Sequence, residues 1–510
     1  MKIENLEKNT YDEMVYKSNP FSYSSPLTLE ACGTLFGLEP ASSTKNSRIL
    51  ELGCSFGGNI ITQALYYPDN YYVGVDLTEE QINTGKKMIE KMGLKNIELH
   101  QKDIMEIDES FGKFDYIITH GVFSWIPDAV KDKMISICNT NLNENGLAYI
   151  SYNTLPGWKE GQKIRDMMLY VNKYFKDESL QTKTERGKVF LEIMIEQMKL
   201  YTDISEKKKE FIALMEKVLK MQNYYVGHEY LEAINDPMYF SEFAEMLEKK
   251  GLVHVSDINL RLSFASIYKK ETKDRIEQLS GGNHIIKEQC IDFILDTQFR
   301  KSLICKKSQA EKLNFTESIN NEIFDKFYYI PEYSEQEINN FPEVSELTKK
   351  LLEEKNIFQV SVVKDFYKEK GLSDEEIEEK LKKFRAFLLV NMIDGKVSYY
   401  CSNFEKVKFE ENKVYVPEKF IKYLDAIVDE SNTFIGASNY RNQLINGLNA
   451  IDVIVIKALK EPTTKKNLLE ALKDVPIYRH TDEGSFEVPA EEYLEEALKK
   501  FENLHYFVKK

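Results

Sequence analysis

The chain has 510 residues, of which 42% are hydrophobic and 30% are charged, and its formal net charge at pH 7 is −15. This composition is typical of a soluble globular protein, and the length allows about three domains. The acidic balance argues against a nucleic-acid partner, because neutralising phosphates requires a basic surface. The sequence has no apolar run of about 18 residues, which argues against a membrane-spanning helix and a membrane partner.

The N-terminus and the cysteines bear on the cellular compartment. Residues 1–8 read MKIENLEK and lack the apolar segment of a secretory signal. The six cysteines are scattered and include no Cys-x-x-Cys pair, so we expect neither a disulfide framework nor a structural zinc site. The histidines show no metal-ligand spacing either, and we expect no bound metal. Together these features predict a cytoplasmic protein.

A glycine-rich loop follows the first apolar strand. Residues 49–59 read ILELGCSFGGN, which predicts a strand that carries Glu51, a loop from Gly53 and then the start of a helix. Glycine permits positive φ angles and lets a ligand approach the main chain closely, and the first N–H groups of the helix have no partner within it. By itself the pattern is equally compatible with a dinucleotide fold or an ordinary tight turn.

Four further apolar strands alternate with helical segments along the chain. These strands are predicted at residues 71–76, 97–101, 114–120 and 147–152. The alternation predicts a parallel, doubly wound sheet, in which ligands bind beyond the carboxyl ends of the strands. Asp76 follows Gly53 by 23 residues, close to the spacing of about 20 at which an acid reaches ribose hydroxyls. Asp103, after the third strand, suits the adenine amino group, so the residues favour a class I methyltransferase that binds S-adenosylmethionine.

The predicted cofactor site consists of the loop, the strand-end acids and their neighbours. Its members are Tyr16, Glu51, Gly53, Cys54, Gly57, Gly58, Asn59, Asp76, Leu77, Asp103, Ile104, His120 and Gly121. Tyr16 belongs to this set only if the N-terminal segment folds over the cofactor.

Several motifs resemble those of a known bacterial family. They are residues 11–21, 120–127 (HGVFSWIP), 151–158 (SYNTLPGW) and 228–243. These motifs are similar to those of bacterial methyltransferases with a methyltransferase regulatory domain, a family that includes protein-lysine methyltransferases acting on outer-membrane proteins. The resemblance covers about residues 10–305, although residues 54–56 replace the more usual glycine-rich middle of the cofactor loop. It implies a lysine-bearing protein substrate, such as a bacterial surface protein before its export.

Candidate catalytic residues lie at the ends of the fourth and fifth strands. They are His120, Trp125, Tyr152 and Asn153. A lysine ammonium has an ordinary pKa of about 10.4 and must lose a proton before its nitrogen can attack. A dry aromatic pocket lowers that pKa by desolvation, and amide, hydroxyl or carbonyl groups orient the neutral amine. His120 and Asn153 are also compatible with purely structural hydrogen bonding.

The fold class that we predict is α/β. We expect a Rossmann-like class I methyltransferase sheet of seven strands that carries a helical insertion. A C-terminal α+β region resembling a winged helix is expected to follow. The expected parts are a methyltransferase core (1–157), a helical insertion (158–222), a regulatory segment (223–308), a linker (309–345) and the winged-helix-like region (346–510). Residues 251–257 and 300–305 are predicted to be strands six and seven, so that the regulatory segment completes the sheet.

The C-terminal prediction rests on helices followed by a hairpin. A helix is expected to begin at an N-cap on Ser373, and a hairpin is expected over residues 390–400 with its turn at Asp394-Gly395. Winged helices often bind DNA, but the four glutamates within residues 375–379 would repel phosphate. We therefore expect this region to bind protein or to support a dimer.

Three functions remain compatible with the residues. The first is an S-adenosylmethionine-dependent methyltransferase for protein lysines, in which the inserted helices cover the active site or build a homodimer interface. The second is a small-molecule methyltransferase whose C-terminal region only shapes a dimer. The third is a non-catalytic module that senses S-adenosylmethionine and signals through the winged-helix region. The aromatic strand ends favour catalysis, because sensing requires only the cofactor residues.

Overall fold

The computed structural model of the chain describes residues 17–175, 178–201, 205–315, 321–333, 346–354, 357–429, 432, 434–481 and 484–510. Its largest sheet is mixed and contains seven strands. These strands are β1 (Arg48–Leu52), β2 (Tyr71–Asp76), β3 (Ile97–Gln101), β4 (Phe114–Thr119), β5 (Leu142–Asn153), β6 (Leu252–Asp257) and β7 (Phe299–Lys306). Their spatial order is β3-β2-β1-β4-β5-β7-β6.

The strand β1 lies inside the parallel part of this sheet. It pairs in parallel with β2 and with β4, so that Ile49 lies opposite Tyr72 on one side and Tyr116 on the other. Its residues Ile49, Leu50 and Leu52 are fully buried. Continuous apolar burial of this kind is typical of a parallel strand that is covered on both faces.

The prediction that the regulatory segment completes the sheet is confirmed. Strand β6 covers the predicted residues 251–257 almost entirely, and β7 covers residues 300–305. Both strands belong to the same sheet as β1, with β7 between β5 and β6. The sheet order thus follows the class I methyltransferase pattern expected from the sequence.

Helices connect the strands and form the insertion after β5. They are α1 (Pro26–Leu35), α2 (Gly58–Tyr66), α3 (Glu79–Met92), α4 (Asp128–Thr140), α5 (Trp158–Asn172), α6 (Leu180–Lys199), α7 (Glu206–Lys220), α8 (Asn223–Leu231), α9 (Phe240–Lys249), α10 (Lys270–Ser280) and α11 (His284–Leu295). The insertion, α5 to α7, shares an apolar core with α8 of the regulatory segment, and this core includes Ile164, Leu191, Met215 and Val226. This agrees with the long helices expected from the sequence.

The C-terminal part of the chain contains further helices and short strands. They are α12 (Asn321–Phe324), β8 (Tyr328–Pro331), α13 (Glu346–Glu354), α14 (Val360–Glu369), α15 (Asp374–Ile393), β9 (Val397–Tyr400), β10 (Val414–Tyr415), α16 (Glu418–Val428), α17 (Ala450–Ala458), α18 (Lys465–Leu472), β11 (Tyr478–Thr481), β12 (Gly484–Glu487), α19 (Ala490–Asn503) and β13 (Val508–Lys509). The predicted N-cap is present, since the Ser373 hydroxyl accepts a hydrogen bond from the Glu376 N–H.

The hairpin predicted over residues 390–400 is wrong. Helix α15 continues to Ile393, and Gly395, with a φ of 68°, forms the turn that follows the helix. Strand β9 instead pairs antiparallel with β8, which lies in the predicted linker. The antiparallel hairpin is formed further along the chain by β11 and β12. The other domain boundaries predicted from the sequence stay predictions.

The chain divides into two compact units. Among the described residues, the first unit contains residue 17, residues 119–136 and residues 150–302, and the second contains residues 18–118, 137–149 and 303–510. None of the described helices is both long enough and apolar enough to cross a membrane.

Candidate active site

In the second unit, the loop after β1 adopts the conformation that its glycines permit. Gly53 and Gly57 have φ angles of 74° and 80°, in the left-handed region that other residues rarely adopt. The N–H groups of Gly53 and Cys54 both donate to the carbonyl oxygen of Val75, at 2.8 and 3.0 Å. A Cβ atom at Gly57 would lie 3.2 Å from Leu99. The loop is therefore held against the end of β2 in a conformation that depends on glycine.

Glu51, near the carboxyl end of β1, is a buried acid with one unused oxygen. Only 3% of the residue is exposed. Its Oε1 accepts a hydrogen bond of 2.7 Å from Asn59 Nδ2, whereas Oε2 has no hydrogen-bond partner among the described residues. Burial raises the pKa of Glu51 to about 8, against the lowering effect of the Asn59 hydrogen bond. A ligand that donates hydrogen bonds or carries a positive charge would offset the cost of burial and favour the ionised carboxylate.

Asp76 is oriented by two backbone hydrogen bonds at the end of β2. Its Oδ2 accepts from the N–H of Ser55 at 2.8 Å, and its Oδ1 accepts from the N–H of Thr78 at 3.0 Å. Each oxygen retains a second lone pair, so the carboxylate can still receive hydroxyl groups from a ligand. Leu77, which follows, is 55% exposed and offers an apolar surface beside the acid.

Asp103 has a capping role that the sequence did not predict. It precedes a short 3-10 helix, Ile104–Glu106, and its Oδ1 accepts a hydrogen bond of 2.9 Å from the Met105 N–H. Asp103 is exposed and Ile104 is half-buried. The predicted contact of Asp103 with the adenine amino group stays a prediction.

The beginning of α2 is less open than the sequence suggested. The N–H of Gly58 donates to the hydroxyl oxygen of Ser18 at 2.9 Å, and a Cβ atom at Gly58 would lie 2.2 Å from the Ser18 carbonyl oxygen. The Asn59 side chain is directed to buried Glu51. Sequence reasoning missed Ser18, because nothing in its local pattern marks it as a partner of α2. Tyr16 lies outside the described residues, so its predicted role stays a prediction.

In the first unit, Ser151 connects the loop after β4 to β5. Its hydroxyl oxygen accepts a hydrogen bond of 2.9 Å from the Gly121 N–H and lies 2.9 Å from His120 Nδ1. A hydroxyl oxygen has two acceptor sites, so after accepting from Gly121 it can still accept from Nδ1–H, which leaves Nε2 of the neutral ring as an acceptor. Burial, together with a smaller effect of the Lys301 charge, lowers the pKa of His120 to about 3. His120 is therefore a neutral imidazole at physiological pH.

Asn153 is buried and held by two neighbouring segments. Its N–H donates to the hydroxyl of Ser124 at 2.8 Å, and its Nδ2 donates to Asn235 Oδ1 at 3.1 Å. Asn235 comes from the regulatory segment and was not identified from the sequence, since its role depends on contact with β5. Trp125 is half-buried on the short 3-10 helix Phe123–Trp125. Asn153 and Trp125 stay predictions as catalytic residues.

Tyr152 lies in an aromatic part of the core. Its ring centroid is 4.3 Å from that of Phe243, its hydroxyl is 3.4 Å from Ser302 Oγ, and burial raises its pKa well above the usual value. This position favours a packing role, and the catalytic role predicted for Tyr152 stays a prediction. Within the described parts of the chain, no group of three or more His, Cys, Asp or Glu residues is arranged to hold a metal ion.

Known protein families and relatives match most of the chain. Family models match residues 43–208 as a methyltransferase domain, residues 222–306 as a "Predicted methyltransferase regulatory domain" and residues 406–483 as a winged helix domain. The protein RP028 of Rickettsia prowazekii is 39% identical over 252 residues, which are 49% of this chain and 97% of RP028. The chain belongs to the bacterial class I methyltransferases with a methyltransferase regulatory domain.

The relatives match this chain over different shares of their own length. RP789 of Rickettsia prowazekii is 40% identical over 326 residues, which are 64% of this chain and 57% of RP789. The chain thus spans little more than half the length of that relative. RP789 and RP028 are both described as uncharacterized proteins.

Solved structures extend the similarity of this methyltransferase to its C-terminal part. PKMT2 from Rickettsia typhi is 25% identical, with a TM-score of 0.79 over 97% of this chain and 100% of PKMT2. PKMT2 in complex with AdoHcy has a TM-score of 0.78 over 96% of this chain, with the same identity. The cofactor of the methyltransferase is S-adenosylmethionine. Three features fit this cationic, hydroxyl-bearing cofactor. They are the unused oxygen of buried Glu51, the positive φ angles of the loop glycines and the oriented carboxylate of Asp76.

Proposed function

We propose that the methyltransferase acts on lysine side chains of a protein substrate. S-adenosylmethionine, when bound, supplies the methyl group from its sulfonium. The proposal is supported by the motifs in residues 120–127 and 151–158, which resemble those of protein-lysine methyltransferases acting on outer-membrane proteins. Similarity to PKMT2 over nearly the whole chain is consistent with it.

The observation that carries the proposal is the fixed position of the His120 imidazole, whose Nδ1 lies 2.9 Å from the Ser151 hydroxyl oxygen. With a pKa of about 3, its imidazole carries no charge over the pH range in which a lysine nitrogen becomes available. Ser151 and the Gly121 N–H hold the ring at the carboxyl end of β4 through the contacts described above. A neutral, fixed polar group orients an amine without favouring its ammonium form.

The amide of Asn153 supports the same chemistry at the end of β5. Its Nδ2 is directed to Asn235, and its backbone is held by Ser124. A held amide oxygen can accept a hydrogen bond from a neutral amine, and Asn153 loses little conformational freedom in doing so. We assign the orienting of the acceptor nitrogen to His120 and Asn153.

The substrate is proposed to be a lysine-bearing bacterial surface protein. A homodimer of this chain would methylate it in the cytoplasm, before the substrate is exported. The net charge of −15 is compatible with a basic partner, since opposite long-range charge speeds encounter between proteins. Under this proposal, transfer slows as ionic strength rises, because salt screens the attraction.

The test uses the full chain, methyl-labelled S-adenosylmethionine and a lysine-rich bacterial surface protein. One portion of the substrate is left unmodified, and in the other the lysines are acetylated beforehand, which removes the nucleophilic amine. We expect label on lysine nitrogens of the unmodified protein only, located by mass spectrometry. Equal labelling of both portions would exclude lysine as the main acceptor.

A His120→Gln variant checks the residue assignment in the same assay. Glutamine keeps a neutral polar group but removes the ring that the Ser151 hydroxyl contacts. We expect slower transfer with an unchanged site of labelling, whereas an unchanged rate would contradict the role proposed for His120.

A further inference from the structure

Asn442 is a buried polar residue in a loop far from the cofactor motifs in sequence. It lies between α16 and α17 and is fully buried, with a φ of 57°. Asparagine is among the few residues that tolerate this left-handed conformation. Its Oδ1 accepts a hydrogen bond of 3.2 Å from the Ser438 hydroxyl. The donor end of the Asn442 amide is therefore the end that faces α2.

The donor end of this amide contacts Asn59. Nδ2 of Asn442 lies 2.8 Å from Oδ1 of Asn59 and 3.1 Å from the Asn59 carbonyl oxygen. The backbone N–H of Phe21 donates to the same Oδ1 at 2.9 Å. Two donors on Oδ1 determine which way the Asn59 amide points, because a reversed amide would place N–H groups against N–H groups.

The orientation of Asn59 in turn determines what Glu51 can bind. With Oδ1 held by Asn442 and Phe21, Nδ2 of Asn59 donates to Glu51 Oε1 at 2.7 Å. This hydrogen bond occupies one carboxyl oxygen and leaves Oε2 as the unused acceptor described above. The three side chains thus form one hydrogen-bonded series, Asn442 to Asn59 to Glu51, although Asn442 and Asn59 are 383 residues apart.

We propose that Asn442 is a positioning residue of the cofactor site, which acts through Asn59 on the carboxyl group of Glu51. The loop that carries it is also fastened to the cofactor loop, since the rings of Phe434 and Phe56 stack with centroids 5.2 Å apart. The C-terminal region thereby contributes to cofactor affinity. This inference goes beyond the proposed function and does not depend on which acceptor is methylated.

The test measures AdoHcy binding to the full chain by calorimetry, at a high pH that favours ionised carboxylates. Asn442→Asp keeps the size and the tolerated backbone conformation but replaces the donor that faces Asn59 with an acceptor. We expect the Asn59 amide to reverse and affinity to fall about tenfold, as for one lost hydrogen bond to a charged group.

A double-mutant cycle with Glu51→Gln separates positioning from general structural damage. In that background a reversed Asn59 amide finds a donor in the glutamine, so we expect Asn442→Asp to change affinity by less than about threefold. An equal loss in both backgrounds would overturn the proposal, because it would show that Asn442 does not act through Glu51.

Two control variants test whether loosening the loop that carries Asn442, or changing an asparagine with a positive φ angle to aspartate, is enough to weaken binding. Tyr423→Phe removes the hydroxyl that accepts from the Ser438 N–H at 2.8 Å, which loosens the same loop without touching Asn59. Asn412→Asp changes an exposed asparagine with a φ of 59°. Both should bind AdoHcy as the unmodified protein does. A weakening in Tyr423→Phe equal to that in Asn442→Asp would assign the effect to the loop and contradict the proposal.

If Asn442→Asp does not fold, Asn442→Gly provides the same test. Glycine adopts the positive φ without strain and removes the donor. We expect an affinity about threefold weaker, from the loss of one neutral hydrogen bond, with no further loss in the Glu51→Gln background. Unchanged affinity in Asn442→Gly would overturn the proposal.

Discussion

Arg300 donates two hydrogen bonds to the carboxylate of Asp292, from Nε at 2.8 Å and from Nη2 at 3.0 Å. Both side chains are fully buried. The remaining nitrogen, Nη1, donates to Glu288 Oε2 at 2.7 Å, and that oxygen also lies 3.0 Å from Nε2 of His254. One buried guanidinium thus holds two carboxylates between α11, β6 and β7.

Removing this cation should strongly destabilise the protein. In Arg300→Met, the two carboxylates keep their burial but lose the guanidinium that pairs with both of them, which costs about 3–5 kcal/mol. Denaturant unfolding of the full chain measures the loss. The exposed Arg275 on α10 supplies the matched control, and Arg275→Met should change stability by no more than about 0.5 kcal/mol. Equal effects of the two substitutions would contradict the structural role of Arg300.

Glu51 should make the stability of the cofactor-free protein depend on pH. Its pKa is raised from 4.5 to about 8 in the folded protein, so the folded state binds more protons than the unfolded state between these values. Stability from this group therefore falls as pH rises through that window. The free energy of unfolding of Glu51→Gln minus that of the unmodified protein should therefore increase by roughly 3–5 kcal/mol from the lower to the upper end of this pH window. Denaturant unfolding at several pH values measures the difference, and a constant difference would contradict the raised pKa.

Substitutions at Gly53 and Asp76 should weaken cofactor binding for different reasons. Gly53→Val places a branched side chain at a φ of 74°, which valine strongly disfavours. Asp76→Ala removes the carboxylate that accepts from the N–H groups of Ser55 and Thr78, as well as the predicted ribose acceptor. We expect a loss of about 1.5–3 kcal/mol in AdoHcy binding for Asp76→Ala, measured by calorimetry. Unchanged affinity in both variants would exclude this loop as the cofactor site.

Ser151→Ala should affect methyl transfer more than cofactor binding. The substitution removes the hydroxyl that contacts both the Gly121 N–H and His120 Nδ1, so the imidazole loses a fixed orientation. We expect a stability loss of about 1–3 kcal/mol and a lower kcat, while AdoHcy affinity changes little. Ser151→Thr retains the hydroxyl and should restore part of the kcat. A lower affinity with unchanged kcat would place Ser151 in the cofactor site instead.

Local sequence patterns were sufficient to predict the central sheet. Apolar runs such as residues 71–76, separated by helical segments, predicted the parallel strands, and the glycine C-cap before β6 predicted where the regulatory segment rejoins the sheet. The hairpin prediction failed at residues 390–400, because both the end of a helix and a hairpin turn favour a glycine with a positive φ angle, as Gly395 has. Only the pairing of β9 with β8 distinguishes the two.

The sequence by itself was enough to identify residues whose role follows from their position on a single strand or loop. The positive φ angles of the cofactor loop and the strand-end position of Asp76 are of this kind, since backbone conformation and strand periodicity act over a few residues. Only the tertiary structure decided that Ser18 caps α2, that Asn442 orients Asn59 and that Arg300 joins its carboxylates. Ser18 and Asn442 lie 40 and 383 residues from their partners. The hydrogen bonds form because leaving a buried polar group unpaired is costly, and which partner is near depends on how the whole chain folds.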